Sequence, residues 1–170
     1  MKKEIIYNNI GCIPFISEME MEAFIDDKIS KEIGFYSIAI NAEKLIRAEE
    51  DISFSNIVET SIFPVPDGVA GILLLKKKGI HARKMNLPRF IVEYCEKKKL
   101  KIGLVGATSE SNLIACNNLK KKYPRLNLVL NLNGYSKEEK IVAELNKSNP
   151  DVILLGMGSP KQEILGKKLN

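Results

Sequence analysis

Four short polar segments, three of them glycine-bearing, hold the residues best suited to chemistry: Asn41-Ala42-Glu43, Pro66-Asp67-Gly68, Gly106-Ala107-Thr108-Ser109 and Gly156-Met157-Gly158-Ser159-Pro160-Lys161-Gln162-Glu163. Asp67 stands where a strand-like run meets an apolar, helix-like one. A carboxylate there can cap the helix by accepting its first N–H groups. It can equally act as a general base that removes a proton from an acceptor hydroxyl. Spacing alone leaves both readings open. In the last segment Gly156 and Gly158 allow close backbone approach, and the free N–H groups of a helix start attract phosphate. Lys161 adds a point charge there, and Gln162 can donate and accept hydrogen bonds to a base or a sugar. The plainer reading of the same residues is a loop-to-helix turn, with Ser159 as cap and Pro160 at the first helical position. Gly106 and Ala107 supply a second backbone loop, while Asn41 also suits an ordinary helix cap. Glu43 suits a solvated helix face, and Tyr135, after Gly134, is either a stacking platform or a core edge. Gly103 and Gly106 do not complete the GxGxxG phosphate fingerprint.

The elements that must position these residues follow from hydrophobic periodicity. Residues 4–7 and 10–16 read as two short strands in a hairpin-like start. Ser17 and Glu20 form a capping box ahead of a helix that runs to about residue 31, and Gly34 is expected to end that unit. Phe35–Ile40 is a strand, 42–48 and 52–58 are helical, and Ser61–Val65 is a strand. Helix resumes over 69–75, and Pro88 opens another that reaches Lys99. From there the pattern is regular, with strands beginning at 101, 126 and 151 and a helix in each gap. Ser136 and Glu139 read as a second capping box. Strands alternating with helices predict an α/β fold with a right-handed βαβαβ parallel arrangement, as in nucleotide-binding folds. Ligands of such sheets sit beyond the carboxyl ends of the strands, where all four polar segments fall.

Composition narrows the classes. The 170 residues are 45% hydrophobic, which suits one domain with a sizeable core. It divides into a 1–99 half that carries Asp67 and a 100–170 βαβαβ half. No run approaches the roughly 18–20 apolar residues of a membrane span, and the amino terminus lacks a signal-peptide apolar region, so a cytoplasmic protein is expected. Cys12, Cys95 and Cys116 are odd in number and far apart, and one histidine, His81, makes no zinc site. The net charge of +5 is concentrated in Lys76–Lys78, Lys97–Lys99, Lys120–Lys122 and Lys167-Lys168. Each cluster follows an apolar-periodic segment, where cations meet the negative end of the helix dipole. Attraction to anionic lipid is the functional alternative. Aromatic residues do not interleave with the basic runs, so no nucleic-acid partner is expected.

Taken together, Asn41-Ala42-Glu43, Pro66-Asp67-Gly68-Val69, Lys101–Gly106, Tyr123-Pro124, Asn133-Gly134-Tyr135 and Gly158–Glu163 resemble, in order and spacing, the WecG/TagA/CpsF glycosyltransferases. The resemblance covers essentially the whole chain. It implies a Rossmann-like parallel sheet flanked by helices, here with a small amino-terminal strand hairpin. It also implies inverting transfer of a sugar, N-acetylmannosamine or a relative, from a UDP-sugar to a polyprenyl-diphosphate-linked acceptor. The setting would be teichoic acid, capsule or related polysaccharide synthesis at the inner face of the bacterial membrane. By the same resemblance Asp67 is the base. Asn41, Gly158, Lys161 and Gln162 line the nucleotide-sugar pocket, and neither cofactor nor metal is expected; Gly106, Ala107, Gly134, Tyr135 and Gly156, from their place at the strand ends, are further nucleotide-sugar candidates, and Arg83 is the candidate for the acceptor.

The sequence departs from the family pattern in three places. Ala39-Ile40 stands where members often have Thr-Pro, which removes a hydroxyl. Around Arg83 the usual Arg-Val-x-Gly-x-Asp reads Arg83-Lys84-Met85-Asn86-Leu87-Pro88. A Gly-Gly-x-Phe-Asp segment and a basic, aromatic carboxyl-terminal appendage, both usual in the family, do not appear before Asn170, so a short form is expected. Apolar surface left exposed in such a form implies self-association. Two other readings compete: a different Rossmann-like nucleotide-dependent enzyme, and a nucleotide-sugar-binding module with reduced catalysis.

Overall fold

The computed structural model describes residues 2–170. It is a mixed α/β protein with parallel sheets flanked by helices and an antiparallel strand pair at the amino terminus. The chain forms two compact units, residues 1–87 with 159–170, and residues 88–158.

In the first unit β1 (Glu4–Tyr7) pairs antiparallel with β2 (Ile10–Cys12). The second strand is shorter than the sequence pattern predicts. Beyond Cys12 the chain follows another partner, since the Ile13 N–H donates to the Pro64 carbonyl at 2.8 Å. Helix α1 (Glu18–Ser30) starts where Ser17 accepts the Glu20 N–H at 3.2 Å. Glu20 reaches back in turn to the Ile16 N–H at 2.9 Å, so the predicted capping box is present, one residue longer than its ideal form. The helix ends at Lys31, and the left-handed residue that turns the chain is Glu32 (φ 54°), not Gly34.

Strand β3 (Ser37–Ile40) runs parallel to β4 (Phe63–Pro66), with Ile40 opposite Pro66. Between them α2 (Ala42–Glu50) and α3 (Ile52–Thr60) cover the sheet, and α4 (Gly68–Lys77) follows β4. Pro64 and Pro66 can stand in β4 because a two-stranded sheet leaves one side of each strand unpaired. Phe35 lies outside β3 and joins Phe15, Phe24 and Phe63 in an aromatic cluster. Helix α8 (Lys161–Leu169) completes this unit.

The second unit contains α5 (Leu87–Lys98), β5 (Lys101–Gly106), α6 (Ser109–Lys122), β6 (Asn127–Leu132), α7 (Glu138–Ser148) and β7 (Val152–Gly156). Its sheet is wholly parallel, in the order β6-β5-β7. The first strand is therefore central: the chain moves from it to β6 on one side and then crosses past it to β7 on the other, so the two crossovers run in opposite directions. Right-handed connections then place successive helices on opposite faces, which opens a crevice at the carboxyl end of β5. The core here is built on Val92, Cys95, Ile102, Leu104 and Cys116. Ser136 does not cap α7: its hydroxyl donates to Asn133 Oδ1 at 3.4 Å, and the cap position falls to Lys137 without a side-chain bond. The lysine clusters do sit at helix ends, in the last turns of α4, α5, α6 and α8.

Candidate functional site

In the first unit the carboxyl ends of β3 and β4 lie side by side and each feeds a helix. Asn41 caps α2, its Oδ1 accepting the Lys44 N–H at 3.0 Å. Asp67 holds the corresponding position before α4, and its own N–H donates to the Ile40 carbonyl at 2.8 Å. Its carboxylate, however, makes no cap hydrogen bond. The helix-cap reading therefore fails for Asp67 and holds for Asn41. Gly68 follows in the left-handed region (φ 67°), so the residue after Asp67 has to turn in a way L side chains avoid. Gly71 lets α4 lie close on the strand: a Cβ there would stand 3.0 Å from Pro66 Cβ and 3.3 Å from the Ile40 carbonyl oxygen.

Helix α8 brings the second motif of this unit. Pro160 is its cap residue and no side chain caps it, so Ser159 does not play the predicted part. The Ser159 hydroxyl is instead buried without a partner among the described residues. Lys161 is exposed and Gln162 half-buried, whereas Glu163 is only 4% exposed. Glu163 pairs with Lys44, itself buried, at 3.5 Å. Glu163 Oε1 also accepts from Gln162 Nε2 at 3.0 Å. Sequence reading did not single out this pair, because a lysine and a glutamate in the first turns of two helices look like solvated charges. Glu43 fits that description, exposed and paired with Arg47 at 3.6 Å.

In the second unit the strand ends meet through their backbones. A Cβ on Gly106 would collide with the Gly156 carbonyl oxygen, and one on Gly134 would lie 3.0 Å from Gly106 Cα. Ala107 turns in the left-handed region (φ 54°). Its N–H donates to the Gly156 carbonyl and its carbonyl accepts the Gly134 N–H, both at 2.9 Å. Asn112, buried on α6, donates through Nδ2 to the carbonyls of Gly106 at 2.9 Å and Leu132 at 3.0 Å, clamping the ends of β5 and β6. A polar side chain inside a predicted helix gave no sign of that role. Thr108 caps α6 by accepting the Ser111 N–H at 3.2 Å. Gly158, at φ 81°, keeps the loop after β7 open to solvent. Tyr135 is 81% exposed, so it is no core edge. Gly106, Ala107, Gly134, Tyr135, Gly156 and Gly158 thus share one unit, and Asn41, Asp67, Lys161 and Gln162 share the other.

Arg83 lies in the first unit, its N–H on the Phe15 carbonyl at 2.9 Å and the residue exposed. Burial pushes the thiols of Cys12 and Cys95 up to about 12 and raises that of Cys116, so none is a nucleophile near neutral pH. Among the described residues no three His, Cys, Asp or Glu side chains gather as a metal site. No described helix is long and apolar enough to cross a membrane.

Among the curated proteins similar to this chain are two bacterial ones, both named N-acetylglucosaminyldiphosphoundecaprenol N-acetyl-beta-D-mannosaminyltransferase. The Bacillus subtilis (strain 168) protein is 26% identical over 172 residues, covering 96% of this chain and 65% of that protein. The Bacillus spizizenii (strain ATCC 23059 / NRRL B-14472 / W23) protein is 23% identical over 155 residues, covering 88% of this chain and 58% of that protein. The chain thus spans less than two thirds of the length of either relative. The family model for WecG/TagA/CpsF glycosyl transferases matches residues 9–170, nearly the whole chain. With that match, the chain belongs to the glycosyl transferase WecG/TagA/CpsF family.

Proposed function

We propose that this protein transfers an N-acetylmannosamine-like sugar from a UDP-sugar to an amino sugar carried on a polyprenyl diphosphate, at the inner face of the cell membrane. The observation that carries the reading is Asp67. A carboxylate placed at the carboxyl end of a parallel strand, in a cap position that it does not use, is free for proton transfer. The acceptor hydroxyl gives its proton to Asp67 as its oxygen bonds to the anomeric carbon. The bond from that carbon to the phosphate oxygen breaks, UDP leaves with the electron pair, and the anomeric configuration inverts. Asn41, next to Asp67 along the strand ends, presents an Nδ2 that makes no hydrogen bond among the described residues and can donate to a sugar oxygen. Lys161, exposed at the start of α8 in the same unit, offers a point charge to an anionic ligand. In the second unit, taken by itself, the backbone edge of Gly106, Ala107, Gly134, Gly156 and Gly158 leaves room for close approach of a phosphate, and Tyr135 offers a flat exposed ring for a base. Arg83 serves the acceptor diphosphate. The names of the two relatives support the acceptor class and the sugar.

Asp67→Asn tests the base. Transfer from UDP-N-acetylmannosamine to N-acetylglucosaminyl-diphosphoundecaprenol is expected to fall ~10²–10⁴-fold. UDP affinity, read by calorimetry, stays within about twofold and Tm within about 2 °C, since Asn keeps the shape and no cap bond is lost. Turnover of the Asn variant at the wild-type rate sinks the assignment.

A further inference from the structure

The Lys44–Glu163 pair has no part in the reaction as written, and its burial calls for a reason. Both side chains are nearly sealed from solvent, at 8% and 3% exposure, and their charged atoms stand 3.5 Å apart. Glu163 Oε2 is buried with no hydrogen-bond partner among the described residues. A half-satisfied buried ion pair is poor glue: two apolar side chains of similar volume would hold the helices at least as well. The neighbours of the pair indicate another use. The Lys44 N–H is the group that Asn41 caps, at 3.0 Å, and Glu163 Oε1 accepts from Gln162 Nε2 at 3.0 Å. Side-chain contacts therefore run Lys44–Glu163–Gln162, joining the first turn of α2 to that of α8, and Asn41 separately holds the Lys44 backbone N–H.

An amide side chain has one end that donates and one that accepts, and a carboxylate can only accept. Glu163, whose Oε1 faces both Lys44 Nζ and Gln162 Nε2, therefore fixes which way round the Gln162 amide sits. Its NH₂ faces inward to the carboxylate, and its carbonyl oxygen is left without a donor among the described residues. We propose that Lys44 and Glu163 are positioning residues that lock Gln162 as an outward hydrogen-bond acceptor, so that it selects a ligand carrying an O–H or N–H at that point. Resting on the function proposed above, this means that Gln162 reads a donor group of the UDP-sugar, not its phosphate oxygens.

Gln162 is the sole glutamine of the chain, so ε-¹⁵N-glutamine labelling gives a single side-chain pair of NMR signals. In the free protein one of its two protons is expected to exchange slowly with solvent, and Glu163→Leu, which leaves Gln162 the sole glutamine and removes its acceptor, should abolish that difference. Identical Gln162 signals in both proteins would overturn the proposal. In steady-state transfer, Glu163→Gln should raise KM for the UDP-sugar about 10-fold or more while kcat changes less than about threefold. An unchanged KM in the folded variant also overturns it. Should the single change prevent folding, the double change Lys44→Met with Glu163→Leu removes both charges and keeps the packing. The same rise in KM is then expected at near-wild-type Tm, and a wild-type KM in that double variant shows the pair to be only structural. A wild-type chain that gives the expected NMR result but binds no UDP-sugar removes the glycosyl-donor reading and leaves the locked amide standing.

Discussion

The two compact units end their parallel strands in opposite ways. At the edge of β6-β5-β7 the strands close on Gly106, Gly134 and Gly156, with backbones packed too tightly for a Cβ at Gly106. At the edge of β3-β4 they end in Asn41 and Asp67, whose side chains project from the starts of α2 and α4. The same topological position thus serves twice, once as bare main chain and once as functional groups. An edge without side chains lets a compact, chemically uniform partner such as a diphosphate approach the backbone closely. Side chains suit the step that needs a proton moved or one sugar told from another. Under the function proposed above, the difference would separate holding from reacting.

The largest expected effect tests the bare edge. Gly106→Ala forces β5 away from β7 at its last pair, Gly106 opposite Gly156. Overpacking of this kind destabilises by about 3 kcal/mol, or roughly 10 °C in Tm for a protein of this size. A circular-dichroism melt within about 2 °C of wild type would show that the edge tolerates side chains and dissolve the contrast. Gly71→Ala probes the other unit more gently. The new methyl meets Pro66 Cβ at 3.0 Å and has to lift α4 by a few tenths of an ångström. Alanine's gain in helix propensity, about 1 kcal/mol, offsets much of that strain, so Tm should move little. Activity should nevertheless fall about 10-fold, because Asp67 opens the displaced helix and catalysis is sensitive to such shifts. Equal losses of stability and rate at Gly71 would mean that this unit is scaffold as much as the other.

The smallest effect sharpens the comparison through cysteine chemistry. Desolvation raises the pKa of Cys12 in one unit and of Cys95 in the other to about 12, and that of Cys116 upward as well. At pH 8, well below those values, a thiol reagent should label none of the three in the native state. In rising urea, mass spectrometry of the labelled peptides should show Cys12 reacting before Cys95 if the unit with the shorter strands opens first. Simultaneous labelling would show the two units to unfold as one.

The second unit was the more legible in sequence. Lys101–Gly106 reads as a strand from its apolar run alone, and the structure gives it the same bounds, because a central parallel strand is apolar on both faces. The first capping box was legible because Ser17 has no closer competitor. The second, Ser136 with Glu139, was not, because Asn133 draws the serine hydroxyl into its own turn. Asp67 was visible as a candidate but not as an uncapping carboxylate, since only geometry tells whether a cap position is used. Glu163 was visible as part of the last motif, but its pairing with Lys44 was not: a buried pair distant in sequence leaves no periodicity to read.

The glycine edge has a consequence for how this protein should be mapped. An alanine scan assumes that truncation uncovers what a side chain contributes. At Gly106 and Gly134 the scan adds an atom where the others subtract, and the loss it records is congestion, not a missing contact. A map drawn that way would colour the edge as structural and the Asp67 region as functional, whatever the edge binds. Backbone chemistry, such as replacing the amide at position 107 by an ester, removes the N–H that meets Gly156 while adding no bulk. For this part of the molecule the peptide bond, not the residue, is the unit of mutation.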